Sequence, residues 1–465
     1  MAETWANGLD LHLDLTATRV RAQLETALRD AIRSGRLTAG TRLPATRTLA
    51  ADLGVARNTV AEVYGQLVAE GWLSARTGSG TLVASRVAPA PEPDPAAPGS
   101  ARRHRHDLRP GEPDLSAFPR GPWLAAARKA LDAAPDAVLG YGDPCGLPVL
   151  RGVLAEYLAR ARGVVARPGN IVICSGFAHG LEVLSRALLE TGARTLAVER
   201  YGHQAHRDVV VRQGLRLHPL PVDASGAVAS AAGDADAVLL TPAHQFPLGV
   251  TLAPHRRRAF VDRGGIVIED DYDGEFRYDR QPVGAMQALA PDRVIYCGTA
   301  SKSLAPGVRL AWLVIPPRLH DAAAAALGGG PSALDQLTLA ELISSGGYDR
   351  QIRRARLAYR RRRDRLVAAL APLGLQVSGI AAGLHAFLDF PRTTSEFRAE
   401  TLASRHGLAI EGLHHYAFGD SELCSPGGTT PPVPPDRAGL VIGYARPPEH
   451  AYTTALARLC AVLSA

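Results

Sequence analysis

Lysine is the rarest reactive side chain in this chain: only Lys129 and Lys302 occur among 52 lysine and arginine residues in 465 positions. Arginine serves as well as lysine for a solvated surface cation, but its guanidinium stays protonated and does not add to a carbonyl. A lysine retained in an arginine-biased chain therefore points to amine chemistry, with imine formation to a carbonyl cofactor foremost. Lys302 has the more informative surroundings. It sits in Gly298-Thr299-Ala300-Ser301-Lys302-Ser303, with Arg309 seven residues further on.

Pyridoxal phosphate is the carbonyl cofactor against which the other residues can be tested. It needs a lysine for its aldehyde, a carboxylate for its pyridine nitrogen, a cationic and donor-rich cradle for its phosphate, and an aromatic face for its ring. The apolar run Gly265-Ile-Val-Ile ends in Glu269-Asp270-Asp271-Tyr272-Asp273, and the carboxyl ends of parallel strands are where α/β sheets place ligands. Asp270 is expected at the pyridine nitrogen and Tyr272 near the ring hydroxyl or the imine. The same acidic run is also compatible with a metal site or a solvated loop. Ile171-Val-Ile-Cys-Ser175-Gly176-Phe177 reads as a strand, a turn and a helix start, which directs backbone N–H groups and the helix dipole at an anion. Thr299, Ser301 and Arg309 flank the lysine and can complete a phosphate cradle. For the ring face, Tyr201 and His203 both follow a short strand. His244 and Gln245 end a further strand within reach of the cofactor.

Two kinds of element must position these groups. Before residue 86 the apolar residues fall at helical spacing in Thr18–Ile32, then in a short helix opened by Pro44 and stopped by Gly54, then in a third from Val55 to Gly71. Two short helices joined at a glycine form a helix-turn-helix, whose later helix presents its first residues to the major groove. Arg57, Asn58 and Thr59 open that helix and suit base edges and phosphates. Trp72 to Val83 reads as a two-stranded wing with a glycine tip. Segment 86–106 is rich in proline and alanine and nearly free of large apolar residues, as a semi-rigid linker would be. From residue 107 to 465, apolar strand-like runs alternate with helical patterns, the signature of an α/β domain on a mostly parallel sheet. Domains 1–85 and 107–465 joined by linker 86–106 are the expected organisation.

Composition narrows the classes further. No uninterrupted apolar stretch is long enough to span a bilayer, and the first ten residues lack a secretory h-region. The five cysteines are scattered, without C-x-x-C spacing, which suits a reducing cytoplasm better than a disulfide framework or a zinc site. The net charge of +7 permits a polyanionic partner, although residues 1–85 nearly balance, with nine arginines against eight acids. Eight arginines crowd Gln351 to Arg365, either as a solvated helical face or as an additional surface for DNA phosphates.

Gly-Arg-Leu-Thr-Ala-Gly-Thr-Arg-Leu-Pro-Ala-Thr-Arg47-Thr-Leu-Ala, Leu-Gly-Val-Ala-Arg57-Asn58-Thr59-Val and Gly-Ser-Gly80-Thr-Leu-Val together resemble the winged helix-turn-helix of GntR-type regulators. That resemblance implies DNA contacts from Arg47, Arg57, Asn58, Thr59 and Gly80. Tyr141-Gly-Asp-Pro-Cys-Gly-Leu, Thr-Pro-Ala-His244-Gln245-Phe-Pro-Leu-Gly, Ile-Glu-Asp270-Asp-Tyr272-Asp-Gly-Glu-Phe and Ala-Ser301-Lys302-Ser-Leu-Ala-Pro-Gly-Val-Arg309 resemble fold-type I aminotransferases. The combination resembles the MocR subfamily, in which the two are fused. It implies Lys302 as the Schiff-base lysine, Asp270 and Tyr272 at the ring, and Ser175, Gly176, Phe177, Thr299 and Arg309 around the phosphate. It further implies a cytoplasmic homodimeric regulator of a double-stranded DNA operator, modulated by pyridoxal phosphate or by an amine or amino acid forming an external aldimine. The alternative is a true aminotransferase with a DNA-binding appendage.

The chain departs from the aminotransferase pattern in three places. Phe246 precedes Pro247 where an Asn-Pro-Thr-Gly motif is usual. His203 falls where the ring-stacking aromatic is expected, and Tyr201 takes the place of proline. Around Gly439 to Tyr444, where a carboxylate-binding arginine is expected, the run is apolar, with Arg437 and Arg446 on either side.

Overall fold

Burial of apolar side chains gathers the chain into two units, Met1–Arg102 and Arg103–Ala465. The computed structural model describes residues 20–76, 80–84, 105–278, 283–391, 395–419 and 437–464.

In the first unit, Leu24, Leu28 and Ala31 form one stripe of the helix Val20–Arg33 and pack against Leu49 of Thr46–Asp52 and Val60, Val63 and Leu67 of Arg57–Ala69. A hairpin pairs Leu73–Arg76 with Gly80–Val83. The second helix starts at Thr46 rather than at Pro44, because Ala45 is extended, with ψ 148°. Gly54 turns the chain between the two later helices at φ 65°, where an L side chain would be strained. The third helix opens at Arg57, and Tyr64 ties it to the segment entering the second by donating its hydroxyl to the Pro44 carbonyl at 3.0 Å. Gly80 is a strand residue opposite Arg76; the wing tip at 77–79 and residue Thr18 lie outside the described residues.

Most of linker 86–106 also lies outside them. Its last residue, His106, belongs to the large unit, where His106–Asp107 pairs in parallel with Leu408–Ala409.

The large unit is built on a seven-stranded sheet ordered Ile171–Cys174, Ala311–Val314, Val294–Thr299, Ile266–Asp270, Ala237–Leu240, Thr195–Glu199, Arg216–Leu220. Only Ala311–Val314 runs against its neighbours; the remaining pairings are parallel. Parallel strands are covered on both faces by their crossover helices, and the strands from Ile171, Ile266 and Val294 are buried along their whole length. A smaller antiparallel sheet, ordered Val377–Ser378, Ala386–Phe390, Ala438–Ile442, Glu411–Gly412, lies toward the C-terminal end of the unit.

The arginine-rich run lies in the helix Gly347–Leu370, and much of it holds the unit together. Arg354 and Arg356 donate to the carbonyls of Ala117 and Glu275. Arg362 is buried on Asp114 at 2.8 Å and Glu449 at 2.9 Å.

Candidate cofactor cavity and nucleic-acid interface

The parallel strands leave their carboxyl ends on one edge of the sheet, and a cavity of about 460 Å³ opens there. Glu199, Thr241, Asp270 and Thr299 reach it from four adjacent strand ends, and Gly176 and Phe177 from the turn after a fifth. The antiparallel strand starts at this edge, so Arg309 enters beside Gly176. The far wall comes from distant sequence: Pro110 to Glu112, Leu384, His385 and Arg446.

The acidic run separates into distinct jobs. Glu269 accepts the Met286 and Gln287 amides at 2.7 and 2.8 Å. Asp271 is gripped by Arg162 at 2.6 and 2.9 Å and by the Tyr296 hydroxyl. Asp273 meets His244 Nδ1 at 2.8 Å. Asp270 alone faces the cavity, buried and with no hydrogen bond from the described residues. Burial drives its carboxyl well above the usual range, and the charge of Lys302 opposes that rise. A solvated loop is therefore not what this run forms.

Lys302 shares the cavity and donates Nζ to the Gly111 carbonyl at 2.5 Å. Burial lowers its pKa, with Asp270, Asp273 and Glu112 acting in the opposite direction. A lowered amine pKa enlarges the neutral, nucleophilic fraction at neutral pH.

Arg309 stands across the cavity with no ion pair or hydrogen bond from its guanidinium among the described residues. It is the one non-glycine residue at positive φ among them, at 54°, a conformation that persists only where the surroundings impose it. Gly176 precedes the helix Phe177–Glu190 at φ 98°, ψ 166°, and a Cβ there would stand 3.4 Å from the Arg309 guanidinium. The helix has no side-chain N-cap, so its first amides and Arg309 together present N–H donors to one side of the cavity. Thr299 and Ser301 line the same wall and are joined hydroxyl to hydroxyl at 2.8 Å.

Of the two ring-face candidates, His203 stacks on Phe246, with centroids 4.1 Å apart and planes 18° from parallel. Burial holds it well below the usual imidazole range, which leaves a neutral ring. Tyr201 touches the cavity but is fully buried among Leu248, Phe387 and Val441. Three expected cofactor contacts stand behind the wall. The Ser175 amide is turned to His179 Nδ1 at 3.1 Å. His244 is held by Asp273 and receives the Tyr272 hydroxyl on its carbonyl at 3.0 Å. The Gln245 amide group bonds the Tyr201 and Phe246 carbonyls and the Leu248 amide, bracing its own turn. Tyr272, as expected, lines the cavity, and Phe246 joins it there.

Sequence reasoning left other cavity residues unassigned. His385 and Leu384 come from the turn leading into the strand Ala386–Phe390, more than 80 residues beyond Lys302, and no local pattern marks them. Glu199 is buried and accepts from the Thr241 hydroxyl and amide; burial raises its carboxyl to about 7. Of the two flanking arginines, Arg446 lines the cavity, held by Glu112 at 2.9 Å and Asp107 at 3.3 Å. Arg437 instead pairs with Asp389 over the Phe387 ring.

The near-neutral charge of the first unit is unevenly used. Arg21 and Arg29 are paired with Glu25, Glu62 and Glu70 along the first and third helices. Arg47, Arg57 and Asn58 are exposed, and the two arginines enter no ion pair among the described residues. Thr59 is half-buried. The helix Arg57–Ala69 begins without a side-chain cap, leaving first-turn amides open to a phosphate.

Comparison with known proteins agrees with both units. Residues 20–83 match the family of bacterial regulatory proteins, gntR family, and residues 108–422 match aminotransferase class I and II. A protein of Rhizobium meliloti named as a probable rhizopine catabolism regulatory protein, MocR, is 34% identical over 91% of this chain and 89% of its own length. The pyridoxine biosynthesis transcriptional regulator PdxR of Corynebacterium glutamicum is 35% identical over 86% of this chain and 89% of its own. Among solved structures, an archaeal alanine:glyoxylate aminotransferase superposes with a TM-score of 0.67 at 21% identity, covering 77% of this chain and 90% of its own. That last likeness speaks to the fold of the large unit. The winged helix, the aminotransferase fold and the near-full-length relatives place the chain in the MocR-type branch of the GntR transcriptional regulators.

Proposed function

We propose that this chain is a cytoplasmic, homodimeric transcriptional regulator that binds pyridoxal phosphate in the large unit. In this reading, operator binding responds to the cofactor or to an amine or amino acid that reacts with it. The observation that carries the proposal is the complementarity of the cavity. An unpartnered carboxylate, Asp270, and an unpartnered guanidinium, Arg309, face the same space, with the amine of Lys302 in it. Pyridoxal phosphate carries a basic nitrogen, a phosphate and an aldehyde, and supplies a carbonyl that condenses reversibly with primary amines.

Each residue then has a physical task. Asp270 accepts a hydrogen bond from the pyridine N–H and keeps that nitrogen protonated. Arg309, Thr299, Ser301 and the amides of Phe177 and Ala178 hold the phosphate. His203, backed by Phe246, offers a neutral aromatic face, and Tyr272, whose hydroxyl is held on the His244 carbonyl, would lie beside the ring. Lys302 supplies a largely desolvated amine.

Arg47, Arg57, Asn58 and Thr59, with Gly80 in the wing, are proposed to meet the operator. Dimerisation is supported by an apolar face on the helix Arg120–Ala133, where Leu124 is 68% and Leu131 48% exposed, and by the fully exposed ring of Tyr141. A ligand regulates only by binding two conformations with different affinity. The deciding experiment measures binding to the chain's own upstream region with and without pyridoxal phosphate, for wild type and Lys302→Ala. A cofactor-dependent change in the wild type that the variant lacks is expected; four indistinguishable curves would sink the reading.

The second reading, a transaminase with a DNA-binding appendage, draws support from Arg446 on the cavity wall. That guanidinium is already paired with Glu112 and Asp107, so a substrate carboxylate would share it with two acids. Multiple turnover on any member of a broad amino-acid and keto-acid panel would favour this reading over the first.

A further inference from the structure

The helix Glu396–Arg405 places Glu396 and Glu400 one turn apart on a single face. Against that face lies the strand Glu411–Gly412 and the turn Leu413–Tyr416. The turn is pinned by backbone donors: the Gly412 amide to Glu400 at 2.6 Å and the His414 amide to Glu396 at 2.9 Å. Glu396 is buried and also takes the Gly439 amide at 2.6 Å. Both carboxylates are therefore held by the fold, independently of any imidazole.

Two imidazoles then converge on them. His414 Nδ1 meets Glu396 Oε2 at 2.6 Å, while its Nε2 faces Glu400 Oε2 at 3.8 Å. His415 Nε2 meets Glu400 Oε1 at 3.0 Å, and the two rings lie 4.1 Å apart with planes 36° from parallel. Nδ1 of His414 donates to Glu396, so Nε2 confronts Glu400 either as a second donor or as a lone pair that needs a cation between them. A buried carboxylate behind the far nitrogen of an imidazole is the arrangement that fixes the tautomer and raises the basicity of metal-ligating histidines.

We propose that His414, His415 and Glu400 bind a divalent transition-metal ion, with Glu396 orienting His414 from behind. The three candidate ligand atoms lie within 4.8 Å of one another, and ligands at about 2.0–2.2 Å from zinc sit roughly 3.5 Å apart, so small side-chain rotations close the set. Two nitrogens and a carboxylate favour zinc, nickel or cobalt over calcium or magnesium. His415 is half-exposed, with 49% of its side chain open, which gives an ion an entry path. The site bolts the segment Glu411–Tyr416 to its helix. The ring of Tyr416 in turn stands edge-on to Phe246, with centroids 5.0 Å apart.

The test uses the full, tag-free chain, stripped with a chelator and titrated calorimetrically with zinc chloride at neutral pH. Wild type is expected to bind one equivalent more tightly than His415→Ala or Glu400→Gln, each weaker by tenfold or more. Bound cobalt should give the wild type a visible ligand-field spectrum that both variants lose. Unchanged far-UV circular dichroism of His415→Ala separates lost ligation from lost folding. Zinc isotherms that coincide for wild type and His415→Ala would overturn the site. So would an ion held elsewhere, such as at the buried His244, Asp273 and His385, because removing His415 would leave that binding intact.

Discussion

At the scale of single residues, the cavity keeps the side chains of Asp270 and Arg309 without a hydrogen bond or ion pair among the described residues. Lys302→Ala should abolish the visible absorbance that pyridoxal phosphate acquires on binding, as checked by an absorption titration. Because burial lowers the Lys302 pKa, covalent capture should fall only as pH drops through a midpoint below that of free lysine, and a midpoint at the free-lysine value would contradict the environment described. Glu199 provides an independent test of burial. Its carboxyl is raised to about 7, so the folded state holds a proton that the unfolded chain has already released. Stability from this group is full below the unfolded pKa and declines as pH rises toward 7, by roughly 3 kcal/mol in all. Denaturant unfolding of the cofactor-free protein at acid and mildly alkaline pH should show a smaller pH loss for Glu199→Gln than for wild type.

At the scale of elements, helix starts and strand ends decide what can bind. Gly176 adopts a backbone conformation essentially reserved for glycine, with Arg309 close by. Gly176→Ala should weaken pyridoxal phosphate binding by tenfold or more in a fluorescence titration while the protein still folds. In the winged helix, Arg57→Ala should weaken operator binding by about 1–3 kcal/mol and lower the slope of log affinity against log salt by about 1. Arg362 belongs to the structural class: removing a guanidinium buried on Asp114 and Glu449 should cost about 3–5 kcal/mol in urea unfolding, with any loss of DNA binding following from unfolding alone. Most of these elements were legible in the sequence. Strand, turn and helix patterns are set by local periodicity, and Gly54 and the glycine turn at 176 carry their own backbone requirement. The start of the second helix was misplaced because proline marks a boundary without saying on which side of Ala45 the helix begins.

At the scale of the whole molecule, one observation lies away from the cavity and another concerns how its wall is assembled. If the exposed apolar face of Arg120–Ala133 is covered in the proposed dimer, wild type should sediment as a dimer and Leu124→Glu as a monomer at the same concentration; identical sedimentation of the two would contradict that use of the face. The cavity wall is assembled from both ends of the large unit, from Pro110 to Arg446. A change in what occupies it therefore bears on segments far apart in sequence, including the one that follows the linker.

The sequence alone determined which chemistry was available and in what order. A scarce lysine, an acidic strand end, a glycine turn and a helix-turn-helix are local signals, readable because each rests on a side chain's own reactivity or on short-range backbone geometry. Tertiary structure decided which member of each set reaches the cavity. It left Asp270 unpartnered while Glu269, Asp271 and Asp273 were satisfied, and it put His203 rather than Tyr201 on the open face. It turned His244 and Gln245 into braces, brought in His385 from the turn before the strand Ala386–Phe390, and set Arg446 rather than Arg437 on the cavity wall. Those choices depend on which elements pack across the sheet edge, and that long-range packing leaves no trace in the spacing of residues along the chain.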